Sequence, residues 1–347
     1  MNARHIIMKQ FRRISLLAVI AVLFSVQSSF GQLVPNLGGQ RSGISSFQFL
    51  KIGADARGAG MGEAFVAVTN DISAIFWNPA GLTNTASDQV LVSHANWLVD
   101  IQHEFAAASY HLDVNSVIGV SVISLHTDPM KVTTEYQPTG NGNYFNFGDI
   151  AVGATFSRKM TDQFSFGATV KYVRETIADL HSDAFLVDLG TFYYMGLGSS
   201  RFSVVVSNFG NNVKPAGSVL NGKNVTVRSF QDFSPPTMFR LGYAFEPIQD
   251  EINRLTVSLQ LNHPNDNAEN FRLGGEYEYD NMFFLRAGVK RTIGESLFGK
   301  STSTAEDLSF GGGVKLPLGI VTANVDYAFT NFNDLGAVHR ISVVISY

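Results

Sequence analysis

Apolar and polar residues alternate one for one along segment after segment of this chain. In residues 254–262, Leu255, Val257, Leu259 and Leu261 share one face, while Arg254, Thr256, Ser258, Gln260 and Asn262 share the other. Residues 271–280, 320–330 and 164–172 repeat the pattern, the last with Phe164, Phe166, Ala168, Val170 and Tyr172 opposite Ser165, Gly167, Thr169 and Lys171. A period of two belongs to β-strands, whose successive side chains point to opposite faces of a sheet. A soluble sandwich turns its polar face to water, whereas a transmembrane barrel turns it to the lumen and meets lipid with the apolar one. Periodicity alone does not separate the two.

Strand number and connection length do. The pattern places fourteen strands, at 89–99, 104–112, 116–126, 149–158, 164–176, 183–195, 201–209, 237–245, 254–263, 271–280, 283–291, 308–316, 320–330 and 339–347. Most are near the roughly 9–11 residues that cross a bilayer at a tilt. Connections after odd-numbered strands run 4, 22, 6, 27, 7, 16 and 8 residues; those after even-numbered strands run 3, 5, 5, 8, 2 and 3. Outer-membrane barrels join strands by short periplasmic turns and longer external loops, which accounts for this asymmetry. The last strand carries Ile341, Val343, Ile345 and Tyr347 on one face. In lipid it must close on the first strand, because an open edge leaves backbone groups unsatisfied. Its aromatic terminus also resembles the signal by which outer-membrane proteins are recognised for insertion.

The start of the chain points the same way. Lys9, Arg12 and Arg13 precede the apolar run Leu16–Val26, and Ser29-Phe30-Gly31 supplies small residues for cleavage. The run is too short for a membrane-spanning helix and has the layout of a signal peptide over 1–31. Beyond residue 31 the chain carries 21 basic and 29 acidic side chains, a poor match for phosphate backbones, so nucleic-acid binding is set aside. The absence of cysteine excludes disulfides, thiol nucleophiles and thiolate-ligated metals.

Residues 32–88, ahead of the expected barrel at 89–347, have a different texture. Ala54, Ala56, Gly58, Ala59, Gly60, Gly62, Ala64 and Ala67 crowd together, as close backbone approach inside a lumen requires. A short helix is expected over Asp71–Trp77, ended where Pro79 excludes the helical conformation from Asn78. Asn78 is then placed to bond its local backbone while Ala80-Gly81 turns the chain toward the first strand.

The stretch Ile52–Leu82, with its Gly58-Ala-Gly60-Met-Gly62 core and its Asn70-Asp71-Ile-Ser-Ala-Ile-Phe-Trp-Asn78-Pro79-Ala80-Gly81-Leu82 ending, resembles the PorV/PorQ family of Bacteroidetes outer-membrane proteins. That family is related to the FadL-type transporters of hydrophobic solutes. The resemblance implies an all-β, fourteen-stranded antiparallel transmembrane barrel with an N-terminal segment plugging the lumen, in agreement with the strand count. It also implies either a type IX secretion component or a hydrophobic-solute channel.

Other motifs carry less. Gly294-Glu-Ser-Leu-Phe-Gly299-Lys300-Ser301 matches a phosphate-binding loop in letters, but a strand rather than a helix is expected after it. Gly58-Ala-Gly60-Met-Gly62 has its third glycine misplaced for a dinucleotide site and no βαβ context. Asn224-Val-Thr226 is a glycosylation sequon without weight in a bacterial envelope protein. The histidines His94, His103, His111, His126, His181, His263 and His339 are scattered without ligand spacing, so no catalytic, metal or cofactor residue is assigned.

Two functions remain in view. The first is an interaction protein that binds secreted proteins or translocon subunits through loops 127–148, 210–236 and 292–307, with Phe230, Phe233 and the asparagines of 215–236 as contacts. The second is a passive channel for hydrophobic small molecules, with Phe47, Phe49, Phe65 and Phe76 touching the solute. For the channel, the strand glycines Gly274, Gly275, Gly311, Gly312 and Gly313 are candidate bulges, against plain wall curvature as the other reading. Both readings place outer-membrane lipid against the barrel wall.

Overall fold

The computed structural model describes residues 43–220, 226–293 and 306–347. The expected signal peptide, residues 32–42, the Gly294–Ser301 pattern and Asn224 lie outside the described residues.

Fourteen long strands form one closed antiparallel barrel. They are β1 (Gln89–Asn96), β2 (Gln102–Asp113), β3 (Ser116–His126), β4 (Phe147–Lys159), β5 (Phe164–Ile177), β6 (Leu180–Tyr194) and β7 (Arg201–Phe209), followed by β8 (Met238–Gln249), β9 (Asn253–Pro264), β10 (Asn270–Tyr279), β11 (Phe283–Thr292), β12 (Leu308–Leu318), β13 (Val321–Asn331) and β14 (Ala337–Ser346). Each pairs with its sequence neighbours, and β14 closes on β1 from Gln89↔Ser346 to Asn96↔His339. The Tyr347 N–H donates to the Asp88 carbonyl at 3.1 Å and extends that seam by one bond. Among the described residues no helix is long and apolar enough to cross a membrane, a criterion that does not apply to strands.

Every expected strand is present, with boundaries shifted by a few residues. β1 stops at Asn96 because Val99 and Asp100 adopt left-handed conformations (φ 57° and 58°) that turn the chain. The β5–β6 connection shrinks to Ala178-Asp179, with Ala178 at φ 52°. The long connections still fall at one end of the barrel, and two carry short antiparallel pairs, Met130–Lys131 with Tyr144–Phe145 and Val219–Leu220 with Thr226–Val227.

Burial in the wall is inverted relative to a soluble sheet. On β9, Thr256, Ser258, Gln260 and Asn262 are no more than 3% exposed, whereas Leu261 is 38% exposed. On β10, Arg272, Glu276 and Glu278 are buried and the intervening Phe271, Leu273 and Tyr277 are not. Outward-facing Val120, Val170, Phe310 and Ile341 are exposed around the barrel. A surface of this kind is stable in hydrocarbon and unstable in water.

What buries the polar face is the segment ahead of β1. It contains a 3₁₀ turn (Gln48–Lys51), α1 (Ala56–Gly60), α2 (Ala74–Trp77) and a second 3₁₀ stretch (Pro79–Asn84). α1 is capped by Asp55, whose Oδ2 accepts from the Gly58 N–H at 2.9 Å. α2 starts later than the expected Asp71, because Asp71 instead accepts from Ser73 and Arg57. It ends where expected, with Asn78 extended at φ −157° before Pro79.

Candidate functional site

The plug, residues 45–85, is held by groups from most of the barrel wall. The Ala56 N–H donates to Ser342 Oγ on β14 (3.0 Å), the Phe65 N–H to Gln260 Oε1 on β9 (3.0 Å), and the Ile72 N–H to Gln89 Oε1 on β1 (2.8 Å). Arg201 on β7 donates to the Ala67 carbonyl at 2.7 Å. Asn78 donates to the carbonyls of Val66 (2.9 Å) and Thr191 on β6 (3.1 Å), while its Oδ1 accepts from the Ala80 N–H. One side chain therefore satisfies a plug turn, the wall and the entry to Pro79.

The glycines have a steric reason. A Cβ on Gly60 would come within 3.1 Å of Gly311 Cα, and one on Gly58 within 2.7 Å of the Trp77 indole. Gly274 and Gly313 face inward; a Cβ there would meet the Met61 carbonyl at 2.4 Å and Asp326 Oδ1 at 2.0 Å. The β10–β11, β11–β12 and β12–β13 ladders run without a register shift through this cluster. The candidate bulges are thus absent there, and Gly274, Gly311 and Gly313 give clearance for the plug and its ion pairs.

Charge locks the same layer. Arg57 from α1 makes two bonds to Glu276 (2.8 and 2.7 Å) and one each to Asp71 (2.5 Å) and Asn70 (2.6 Å). Glu276 also accepts from Arg286 Nε at 2.6 Å, and Arg286 reaches Asp326 at 2.5 Å. Glu63 pairs with Arg272 nearby. Burial raises the Glu63 carboxyl, and the adjacent Arg272 and Lys290 cations outweigh it and hold the group below its ordinary range. Burial first, then the neighbouring Asp71, pushes the Asp55 carboxyl up to about 6, against donors from Trp77 and Gly58. Asn70 and Asp71 were readable as part of a motif; the wall partners Glu276, Arg286 and Asp326 were not, because nothing local in their strands marks them.

Cavities flank the plug segment toward both ends of the barrel. A cavity of about 590 Å³ lies at the end with the long connections, lined by Phe49, Trp97, Phe147, Asp149 and Glu175 among others. A second, of about 220 Å³, lies at the short-turn end, lined by Arg57, Tyr194, Arg201, Gln249 and Arg254 among others. Of the four candidate phenylalanines only Phe49 lines the larger cavity. Phe47 and Phe65 are fully buried, and Phe76 stacks edge-on between Trp77 (4.9 Å) and Phe105 (6.2 Å).

Loop 210–236 is tied down in part. Val213 and Phe233 bridge each other, Ala216 bridges His181, and Ser234 pairs in parallel with Ser45 of the plug. Phe233 is half-buried and packs against the main apolar cluster. Phe230 is half-buried. Of the histidines, His94 and His126 both lie beside Glu104 at 3.3 and 3.4 Å, His111 lies beside Asp88 at 2.7 Å and His263 beside Glu269 at 3.0 Å.

A family model described as type IX secretion system protein PorV matches residues 38–265. No curated protein matches the sequence. Solved structures that resemble the chain include the CymD monoaromatic hydrocarbon channel (11% identity, TM-score 0.56, 85% of this chain and 97% of that one). The Ralstonia pickettii toluene transporter TbuX (12%, 0.55, 85% and 97%) and the Pseudomonas putida toluene transporter TodX (14%, 0.54, 85% and 97%) are similar to the same extent. At these identities the likeness is one of fold. The closed barrel is that of an outer-membrane protein.

Proposed function

We propose, from the premise that this chain belongs to the type IX secretion system protein PorV family, that it serves type IX secretion by docking exported proteins or translocon subunits at its long-loop end. The observation that carries this reading is the filled lumen. The mid-barrel face of β9 is fully buried beneath the plug, and the cavities of about 590 and 220 Å³ lie on opposite sides of it. A conduit needs a continuous path, whereas a docking protein needs a rigid barrel that presents loops. In this reading Gly58, Gly60, Gly62, Asn70, Asp71, Asn78, Pro79, Ala80 and Gly81 form a structural latch that keeps the plug seated.

The test is recovery of envelope partners on the purified full chain, with and without replacement of residues 217–231 by a Gly/Ser linker. That replacement keeps the bridges of Val213, Ala216 and Ser234. Loop-dependent recovery of secreted proteins or translocon subunits is expected. Loop-independent uptake of a hydrophobic probe, with no protein recovered, would overturn the reading.

The alternative, a passive channel for hydrophobic molecules, draws support from the hydrocarbon channels that share the fold. It requires the solute to pass or displace the plug, and Phe49 is the candidate phenylalanine placed to meet it first.

A further inference from the structure

The larger cavity has an unbalanced wall. Among its charged lining residues, Lys51 is paired with Asp266 at 3.1 Å, Lys290 with Glu306 at 2.9 Å, and Arg272 with Glu63. Two carboxylates are left over, Asp149 on β4 and Glu175 on β5, and they are direct cross-strand partners. Glu175 Oε2 accepts from the Phe47 N–H at 2.7 Å. Asp149 is only 6% exposed, and its Oδ1 is buried without any hydrogen-bond partner. A buried carboxyl oxygen left unmatched beside a second carboxylate is a costly arrangement unless a proton or a cation meets it.

The surroundings decide what kind of cation. Phe49, Phe147 and Trp97 line the same cavity, whose volume of about 590 Å³ far exceeds a bare ion. Among the described residues no three His, Cys, Asp or Glu side chains converge as metal ligands, whereas a calcium ion takes about 6–8 oxygens. Aromatic faces, by contrast, attract organic cations and cover an apolar stem.

We propose that this cavity is a binding site for an organic cation, an ammonium or guanidinium group on an apolar stem, with Asp149 and Glu175 receiving the charge and Phe49, Phe147 and Trp97 flanking the stem. The ligand source is either a free amine or a lysine or arginine side chain of a polypeptide. The site goes beyond the secretion reading and does not depend on it.

The experiment titrates the full chain in nonionic detergent, following tryptophan fluorescence and calorimetric heat, with a matched series of benzylammonium, benzyl alcohol and benzoate. Saturable binding of benzylammonium is expected, at least tenfold tighter than benzyl alcohol and tighter still than benzoate. Asp149→Asn should weaken benzylammonium at least tenfold and leave benzyl alcohol unchanged, with heat-modifiable migration confirming the fold. A Gly-Lys-Gly peptide and its norleucine counterpart form the second arm; lysine-dependent binding tighter than that of benzylammonium assigns the source to a polypeptide, and the reverse order to a free amine. Equal binding of the cation and the alcohol, or displacement of benzylammonium by micromolar Ca²⁺, overturns the proposal. If Asp149→Asn does not fold, the charge series on the unaltered chain still decides.

Discussion

Gly288 of β11 lies directly against Gly62 of the plug, so close that a Cβ on Gly288 would stand 2.1 Å from the Gly62 nitrogen. Gly62 itself sits at φ +62°, where other residues are strained. The contact joins wall and plug backbone to backbone, with no side chain able to yield. Gly288→Val should therefore unseat the plug locally while leaving the ladder with β10 intact. Conductance in planar bilayers should rise, and Ala287→Val, on the adjacent outward position, should leave it unchanged. Unaltered conductance in Gly288→Val would show that the plug does not seal the lumen.

Glu276 is the hub of the charge layer, with both Arg57 and Arg286 on its oxygens. Removing one partner of a buried pair leaves an uncompensated charge and costs about 3–5 kcal/mol. Glu276→Ala should lower the urea midpoint of the detergent-solubilised barrel accordingly. Lys214→Ala should do much less, since that side chain and its partner Asp232 are both exposed.

Leu259 and Ser258 are neighbours on β9 with opposite environments, half-exposed toward lipid and 1% exposed toward the lumen. Leu259→Arg should cost about 2–4 kcal/mol near the bilayer midplane. The alternation alone makes Ser258→Arg look harmless in a wet lumen. Packed beside Ala244 and Gly274, with Gly274 against Met61 of the plug, it should instead destabilise by about 1–3 kcal/mol or more through overpacking. Equilibrium unfolding in lipid of the two variants measures both.

Asp55 belongs to the plug rather than to a spanning strand, and its carboxyl is raised from 3.8 to about 6, chiefly by burial. The folded state therefore holds its proton more tightly than the unfolded one. The stability this contributes is complete below about pH 4 and is lost as the pH rises through about 6. Asp55→Asn cannot ionise, so the falling component of the unfolding midpoint between pH 4 and 6 should disappear from its profile.

Residues 254–262 and 271–280 carry enough alternation to declare strands, and their connections enough asymmetry to declare a membrane barrel, because the period of two and the lengths of turns are local properties of the chain. The crowding of Ala54 to Ala67 likewise announces a segment that others must approach closely. What no local pattern encodes is who approaches. Gly288, Gly274 and Gly311 lie on three strands, and only barrel closure brings each against a particular residue between Gly60 and Gly62. Arg57 and Glu276 are separated by most of the chain, and Asp149 meets Glu175 through strand register rather than sequence spacing. The alternation marks Ser258 as luminal, but the plug decides that the lumen there is full. Tertiary structure settles such matters because burial and charge pairing depend on distances that the closed barrel alone makes short.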